Sequence, residues 1–248
     1  MLKDRLKKFE DNASWLKDGV LYHRGKHDSE IRENTLKAME GAIKDKLGVE
    51  LDVRLTKDNF VVVAHDDSLK RIYGVDYKIS ELTYDEVCNY TNNEIPLFSH
   101  VLKEIDGNIG VMVEIKPDRV KELVNRTYDI LKEYKGKFVI VSFSPIALKL
   151  IRKKDKDIIR GQLSYSYKNS KFNGFVKFCL SHMFFNFISK PHFISYGIEN
   201  CNFKVLKKMK RKGYFIIGWT YRSEENKEQL IEFYDNMIVE NIELREFK

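Results

Sequence analysis

Strand-like and helix-like segments alternate along almost the whole chain, and this alternation limits the folds that it can adopt. Short runs of β-branched and aromatic residues predict strands, and each except the last is followed by a segment with helical signals. The eight predicted strands are VLYHRG (20–25), GVELDVRL (48–55), GVMVEIK (110–116), FVIVSF (138–143), IIRGQL (158–163), HFISYG (192–197), YFIIGWT (214–220) and NMIVEN (236–241). Alternating β and α segments point to a parallel sheet, and about eight such units favour an α/β fold of the closed (β/α)8 TIM barrel type.

Two of the predicted helices have clear sequence boundaries or spacing. Asn34-Thr35 opens a helical run, because Asn is a favoured N-cap, and Gly48 is expected to end that run. The segment SEENKEQLIEFY predicts a later helix over residues 223–234.

No linker interrupts the series, so we expect a single domain over residues 1–248. Residues 67–94 carry little strong periodicity and are predicted to form a small excursion from the barrel after the second strand region.

Charge and composition limit which binding partners and which cellular compartment are expected. The chain has 44 Lys and Arg residues against 37 Asp and Glu residues, and its net charge of +7 suits an anionic substrate or an acidic membrane surface. No nucleic-acid-binding module is recognisable, so no nucleic acid is expected as a partner. The three cysteines form no CxxC pair, the N-terminal residues lack the apolar core of a signal peptide, and no apolar run is long enough to span a membrane. We expect a cytoplasmic protein, peripheral to a membrane at most.

Carboxylates occur in pairs with strand spacing. Glu50 and Asp52 stand two residues apart, as do Glu114 and Lys116, so each pair shares one face of its strand. A solvent-exposed face would explain such a pattern in an antiparallel sheet, but both faces of a barrel strand are covered. Three carboxylates converging inside a barrel would raise each other's pKa unless a cation lay between them. A hard divalent ion, Mg²⁺ or Ca²⁺ rather than zinc, matches oxygen ligands without cysteine.

Other polar residues stand at the ends of predicted strands: His23-Arg24 and Trp219 in the series above, and His65-Asp66 after the valine-rich run 60–64, a further strand that looks buried on both faces. Each has a structural explanation, since a histidine at a strand end is more often structural, Arg24 can solvate a turn and Trp219 can pack at a rim. Active sites of barrels lie at the carboxyl ends of the strands. There, Arg24 and Lys116 would balance charge together with a bound phosphate, and His23 and His65 would transfer protons.

The order of these motifs resembles the glycerophosphodiester phosphodiesterase family. The motifs, in chain order, are HRG, ENT, ELDV, TxD, HD, LxR with a following G, VEIK, SFSP, GWT and DNMIVEN. The resemblance extends over nearly the whole chain, and the combination is far more specific than any one motif. It implies a metal-dependent (β/α)8 barrel that cleaves glycerophosphodiesters, such as glycerophosphocholine, to glycerol 3-phosphate and an alcohol.

Carried over by motif, the resemblance implies metal ligands Glu50, Asp52 and Glu114, an acid/base pair His23 and His65, phosphate contacts Arg24 and Lys116, and a substrate-pocket residue Trp219. One divalent cation, Mg²⁺ or Ca²⁺, would be the cofactor. Either water or a neighbouring glycerol hydroxyl would be the nucleophile, the latter giving a cyclic phosphate, and the sequence leaves open which histidine is the base.

Residues 174–189, GFVKFCLSHMFFNFIS, bear on the substrate and allow two interpretations. The first is a barrel helix and loop buried against the strands. The second is an apolar segment near the mouth that, with Lys168, Lys171, Lys177 and Lys190, meets acyl chains or an anionic lipid surface.

The same residues are compatible with three other functions. A lysophospholipase D-like or phospholipase C-like enzyme would use the same site on membrane lipids. A catalytically silent phosphate-binding barrel is disfavoured because none of the seven polar site residues is substituted. An HD-type phosphohydrolase is disfavoured because His65-Asp66 follows a predicted strand, whereas such sites lie on helices.

Overall fold

The computed structural model describes residues 1–222 and 227–242. The strands are β1 (Leu21–His23), β2 (Gly48–Leu55), β3 (Val61–Val63), β4 (Val111–Ile115), β5 (Phe138–Ser142), β6 (Arg160–Ser164), β7 (Phe193–Gly197), β8 (Ile216–Tyr221) and β9 (Asn236–Val239). The α-helices are α1 (Leu2–Ala13), α2 (Leu36–Asp45), α3 (Lys70–Tyr73), α4 (Tyr84–Thr91), α5 (Phe98–Ile105), α6 (Val120–Leu131), α7 (Pro145–Lys154), α8 (Gly174–Ser181), α9 (Asn186–Ser189), α10 (Phe203–Arg211) and α11 (Lys227–Ile231). Short 3-10 helices lie at Ser14–Lys17 and Ile79–Glu81.

The chain forms two compact units. Unit A is Tyr22–Phe138, and unit B is Met1–Leu21 together with Val139–Lys248. In each unit, parallel strands alternate with helices, which confirms the α/β class. The prediction of a single domain over residues 1–248 stays a prediction.

In unit A, β2 pairs in parallel with β4 and in antiparallel orientation with β3. The valine-rich run is a strand, as expected, and it is antiparallel to β2. Only residues 56–60 separate β2 from β3, and such a short loop suits a hairpin rather than a parallel crossover. Within this loop the Thr56 amide donates to the Phe60 carbonyl, and Asn59 has a φ of 69°. The chain then runs back along β2, so that the Ala64 amide donates to the Asp52 carbonyl.

The helix after β1 begins and ends differently from the prediction. Thr35, not Asn34, is the N-cap, and its hydroxyl accepts a hydrogen bond from the Ala38 amide at 3.3 Å. At the other end, Lys46 in the left-handed conformation terminates α2, and Gly48 is already the first residue of β2. Thr35 at the N-cap leaves the Asn34 side chain available for another contact.

Residues 67–94 hold α3, α4 and the second 3-10 helix, so they are more regular than expected. Their apolar side chains, among them Leu69, Ile79 and Val87, form one buried cluster with Val62 of β3 and with Ile95. The excursion is therefore packed against the hairpin instead of extending from it.

In unit B, β5, β6, β7, β8 and β9 pair with one another in parallel, in that order. The N-terminal helix α1 packs on this unit through Phe9, whose ring lies 5.6 Å from that of Phe193 and 5.0 Å from that of Phe215. The helix predicted over 223–234 is seen as α11, and residues 223–226 lie outside the described residues.

The segment 174–189 forms α8 and α9, and its phenylalanines are not buried as the first interpretation required. Phe175 is 77% exposed and Phe187 is 64% exposed. Among the described residues, no helix combines the length and apolarity needed to cross a membrane.

Candidate active site

Three carboxylates converge inside unit A. The parallel register of β2 and β4 places Asp52 opposite Glu114, and Glu50 points the same way as Asp52 from two residues earlier. One oxygen from each of the three groups lies within 4.8 Å of the others. All three residues are buried, with exposures of 4%, 1% and 6% for Glu50, Asp52 and Glu114. The alternating β2 residues are buried as well, so β2 has no solvent-exposed acidic face.

Two cationic side chains lie against this cluster. The Lys116 Nζ atom is 2.7 Å from Asp52 Oδ1 and 2.8 Å from Glu114 Oε1. The Arg24 Nε atom is 3.5 Å from Asp52 Oδ2, and one of its terminal nitrogens donates to Glu33 at 2.8 Å. Strand spacing therefore brings Lys116 to the same face as Glu114, as predicted.

Charge and burial divide the three carboxylates into two kinds. Burial raises the pKa of Glu50 well above its usual value, and repulsion from Asp52 and Glu114 adds to the effect. Burial likewise raises the pKa of Glu114 to about 7. Burial alone would raise the pKa of Asp52 too, but Lys116 and Arg24 outweigh it and hold that pKa well below its usual range. Lys116 and Arg24 therefore stabilise the ionised form of Asp52, but their positive charge does not offset the burial of Glu50 and Glu114.

Two histidines lie at this cluster. His23, at the end of β1, has its Nε2 atom 4.0 Å from Glu50 Oε2. His65 follows the β2–β3 hairpin, and its Nδ1 atom is 2.6 Å from Asp66 Oδ1. Burial lowers the pKa of His65, although the nearby carboxylate of Asp52 opposes the change. A neutral imidazole held through Nδ1 presents Nε2 for proton transfer.

A second layer of side chains holds these groups in place. The Asn34 amide donates to Asp52 Oδ2 at 2.9 Å. Arg71, on α3, donates to both Glu33 and Asp66. Glu33 also accepts from Arg24, and Asp66 contacts His65, so Arg71 connects the two contacts. The burial penalty on Glu33 is outweighed by Arg71 and Arg24, which lower its pKa. These residues were not assigned roles from the sequence, although the ENT and LxR motifs contain Glu33, Asn34 and Arg71.

The turn after β1 needs unusual backbone angles. Arg24, Gly25 and Asn34 all have positive φ, at 57°, 82° and 60°. At Gly25 a Cβ atom would also lie 2.8 Å from the Cβ of Ala38 on α2, so glycine is required there. The backbone N–H of Asn34 donates to the Arg24 carbonyl at 2.8 Å and closes this loop.

A small pocket of about 30 Å³ adjoins the histidine side of the cluster. Its polar lining includes Glu33, Asn34, His65, Asp66 and Arg71.

Trp219 belongs to unit B, on β8. Its ring is 5.6 Å from that of Phe143 and 6.1 Å from that of Tyr165, both in edge-on orientation. Its role in a substrate pocket stays a prediction.

The acidic cluster fits a hard divalent cation. Its potential ligands are all carboxylate oxygens, which Mg²⁺ and Ca²⁺ prefer. Glu50 Oε2 is buried and accepts no hydrogen bond from the part of the chain that is described. An oxygen of this kind is costly to bury without a partner, and a cation would supply one.

Comparisons with known proteins place these features in a family. The model of the glycerophosphoryl diester phosphodiesterase family matches residues 23–242. A glycerophosphodiester phosphodiesterase of Caldanaerobacter subterraneus is 25% identical over 235 residues, which cover 87% of this chain and 90% of that protein. Human lysophospholipase D GDPD1 is 33% identical over 138 residues, and the match spans 48% of this chain and 42% of the human protein.

Solved structures share the fold. A glycerophosphodiester phosphodiesterase of Thermotoga maritima superposes with a TM-score of 0.69 at 29% identity, covering 89% of this chain and 93% of that one. A phosphodiesterase of Oleispira antarctica, solved with the product sn-glycerol-3-phosphate, gives a TM-score of 0.75 at 20% identity, covering 89% and 92%. The predicted (β/α)8 barrel class is confirmed. With a family match that includes every residue of the acidic cluster and both histidines, the chain belongs to the glycerophosphoryl diester phosphodiesterase family.

Proposed function

We propose that this protein hydrolyses glycerophosphodiesters to glycerol 3-phosphate and an alcohol, with a divalent cation held by Glu50, Asp52 and Glu114. The observation that carries the proposal is the convergence of these three buried carboxylates beside Lys116 and Arg24. Membership of the family and the glycerol 3-phosphate in the Oleispira structure support the reaction class.

The formal charges of the site suit a phosphodiester. Three carboxylates with Lys116 and Arg24 leave one net negative charge, and one divalent ion turns this into one net positive charge. A phosphodiester carries a single negative charge and would bring the sum to zero. In a buried site of low dielectric constant, such a balance favours binding of the anion.

The cation, Mg²⁺ or Ca²⁺, would polarise a non-bridging phosphate oxygen and offset the charge that develops in the transition state. Arg24 and Lys116 would contact the remaining phosphate oxygens. The contacts of Arg24 with Glu33 and Asp52 orient its guanidinium group before the substrate binds, so little ordering is required at that step.

His23 and His65 supply the proton transfers. One removes a proton from the nucleophile, and the other donates a proton to the leaving alkoxide, whose own pKa is high. The contact between His65 Nδ1 and Asp66 fixes the ring, and Arg71 fixes Asp66 in turn. The nucleophile is water or the neighbouring hydroxyl of the glycerol group, and the second would be detected as a cyclic phosphate.

Lysophospholipids are the second candidate substrate class. The human relative is named a lysophospholipase D, and the exposed phenylalanines on α8 and α9 offer an apolar surface that soluble diesters do not need. The same cation site and histidines would then release the headgroup alcohol and leave lysophosphatidic acid.

A product assay with two substrates tests these alternatives. Glycerophosphocholine and lysophosphatidylcholine are each incubated with Mg²⁺, with Ca²⁺ and with chelator, and glycerol 3-phosphate and choline are quantified. Chelator-sensitive release of glycerol 3-phosphate from glycerophosphocholine is the expected result, whereas choline release from the lysolipid alone supports the second candidate.

The matched variants are His65→Ala and His100→Ala, the latter an exposed histidine on α5. We expect His65→Ala to lose at least about a hundredfold in turnover while His100→Ala keeps it. Full activity of His65→Ala, or no turnover of either substrate by the wild type, would contradict the proposal.

A further inference from the structure

Five phenylalanines form an exposed aromatic surface on unit B, here called the phenylalanine patch: Phe172, Phe175, Phe178, Phe184 and Phe187. Each is at least half exposed, from 51% at Phe172 to 77% at Phe175. They lie on α8, on α9 and in the adjoining loops. Of the six phenylalanines that are exposed among the described residues, all but Phe60 belong to this patch. Single exposed apolar residues are ordinary, but a contiguous group marks an interaction surface.

The burial pattern of the segment is inverted relative to a helix that packs on a core. Ser181, Ser189 and Cys179 are buried, with exposures of 6%, 0% and 5%. Phe175 and Phe184, in the same stretch, face solvent. A segment that served only to cover the strands would place its phenylalanines inward, because they bury far more apolar area than serine.

The segment is fixed to unit B by its polar groups. The Ser164 hydroxyl, at the end of β6, donates to the Leu180 carbonyl at 2.8 Å. The Tyr196 hydroxyl on β7 donates to the Ser181 carbonyl at 3.2 Å. Asn173 caps α8 by accepting from the Val176 amide at 2.9 Å. The phenylalanines therefore project from a backbone that is hydrogen-bonded to the sheet.

The charged residues of the sequence stretch that carries the patch have one sign. No Asp or Glu occurs between Asp157 and Glu199, although the whole chain averages about one acidic residue in every seven. Four lysines fall within the stretch 168–190, namely Lys168, Lys171, Lys177 and Lys190. Exposed aromatic rings on a stretch that carries lysines and no acidic residue match the chemistry of an anionic bilayer, in which rings enter the headgroup boundary and ammonium groups meet phosphates.

We propose that the phenylalanine patch docks this protein on an anionic lipid bilayer. A second copy of the chain is disfavoured as the occupant, because a symmetric contact through the patch would bring eight lysines together without an acidic partner from the segment. The docking places the enzyme where glycerophospholipids and their lysolipids are found. It does not rest on the proposed catalytic function, because binding is measured without turnover.

Vesicle flotation tests the docking directly. Wild-type protein is mixed with vesicles of phosphatidylcholine alone or with 30% phosphatidylglycerol, at about 0.1 M and 0.5 M salt. We expect at least about tenfold stronger partitioning on the anionic vesicles at low salt, since each lysine near such a surface contributes about fivefold.

The variants separate the patch from the fold and from catalysis. Phe175→Ser/Phe178→Ser and Phe184→Ser/Phe187→Ser should each lower partitioning by about tenfold or more, because two rings no longer enter the headgroup boundary. Phe60→Ser, at the exposed phenylalanine of unit A, should bind like the wild type. Each variant is checked by circular dichroism to show that it is folded.

Independence from the catalytic proposal is tested with His65→Ala, which should bind vesicles as the wild type does. Equal and weak partitioning of the wild type on both vesicle types would overturn the docking proposal. It would also be overturned if the patch variants kept wild-type binding, or if sedimentation velocity revealed a dimer that Phe175→Ser/Phe178→Ser dissociates.

Discussion

Replacing Glu114 by glutamine is expected to stabilise the protein when no divalent cation is present. The pKa of Glu114 is about 7 in the folded chain, against an ordinary value of 4.5, because the side chain is buried and Asp52 is nearby. The folded state therefore binds this proton more tightly than the unfolded state does. The stability that this carboxyl contributes is fully present below pH 4.5 and is lost as the pH rises through 7.

The magnitude follows from the two pKa values. A difference of about 2.5 pH units corresponds to about 3 kcal/mol in the free energy of unfolding. Glutamine has nearly the same shape and carries no charge, so it avoids this cost. Lys116 keeps a carboxylate partner in the variant, because Asp52 remains 2.7 Å from its Nζ atom. At pH 8 in EDTA, Glu114→Gln should therefore exceed the wild type by up to about 3 kcal/mol, and at pH 4.5 the two should be equal.

Urea denaturation in EDTA, followed by tryptophan fluorescence from pH 4.5 to pH 8, measures this difference. Subtracting the two proteins at each pH cancels the groups that they share. Mg²⁺ at about a thousand times its Kd should then reverse the order, because it adds about 4.1 kcal/mol to the protein that binds it. A Glu114→Gln variant less stable than the wild type at pH 8 in EDTA, or a difference independent of pH, would refute the reasoning.

Three further changes have defined outcomes. Asn34→Ala removes the amide donor to Asp52 and should cost about 1–3 kcal/mol in urea denaturation and weaken Mg²⁺ binding about tenfold or more in calorimetry; unchanged binding would contradict a positioning role. The Asp66 carboxylate holds the His65 ring and raises the pKa of His65. Asp66→Asn removes this carboxylate, so an NMR titration should find a still lower pKa for His65, and the product assay should find a reduced kcat. Burial lowers the pKa of His192 to about 3, so the wild type should lose about 1.4 kcal/mol per pH unit below pH 6.5 relative to His192→Gln, and parallel pH curves of the two proteins would contradict this.

The acidic cluster could be predicted because it depends on strand periodicity and on one property of the fold. Residues two apart on a strand share a face, and both faces of a barrel strand are covered. The positions of Glu50 and Asp52 then follow from the sequence, and the β2–β4 register brings Glu114 opposite Asp52. Roles in catalysis are not contained in this geometry and stay proposals.

The supporting side chains could not be predicted, because they depend on loop conformation. Asn34 and Thr35 are both favoured N-caps, and only the positive φ at Asn34 turns its side chain to Asp52 instead of to the helix. Arg71 reaches Asp66 from a helix in a segment without strong periodicity. The antiparallel direction of β3 could have been predicted, because the five residues between β2 and β3 are too few for a parallel crossover. The valines of β3 alone do not indicate it, since they resemble those of any buried strand.

Whether the phenylalanines of segment 174–189 are buried or exposed could not be predicted from the sequence pattern. Its apolar composition is equally consistent with a buried helix and with an exposed one, because composition does not reveal which residues the neighbouring strands cover. The structure resolves this through Ser164 and Tyr196, whose hydrogen bonds to the α8 carbonyls turn the small residues inward.

The rate of glycerol 3-phosphate release from glycerophosphocholine as a function of Mg²⁺ or Ca²⁺ tests whether the acidic cluster holds a catalytic cation. It is measured for the wild type, for Glu50→Gln and for Glu122→Gln, which changes a partly exposed carboxylate on α6. Saturable activation by the cation is expected in the wild type and in Glu122→Gln, and a loss of at least about a hundredfold is expected in Glu50→Gln at every cation concentration. Full activity in chelator, or a Glu50→Gln protein that works as well as Glu122→Gln, would contradict a catalytic cation at this cluster.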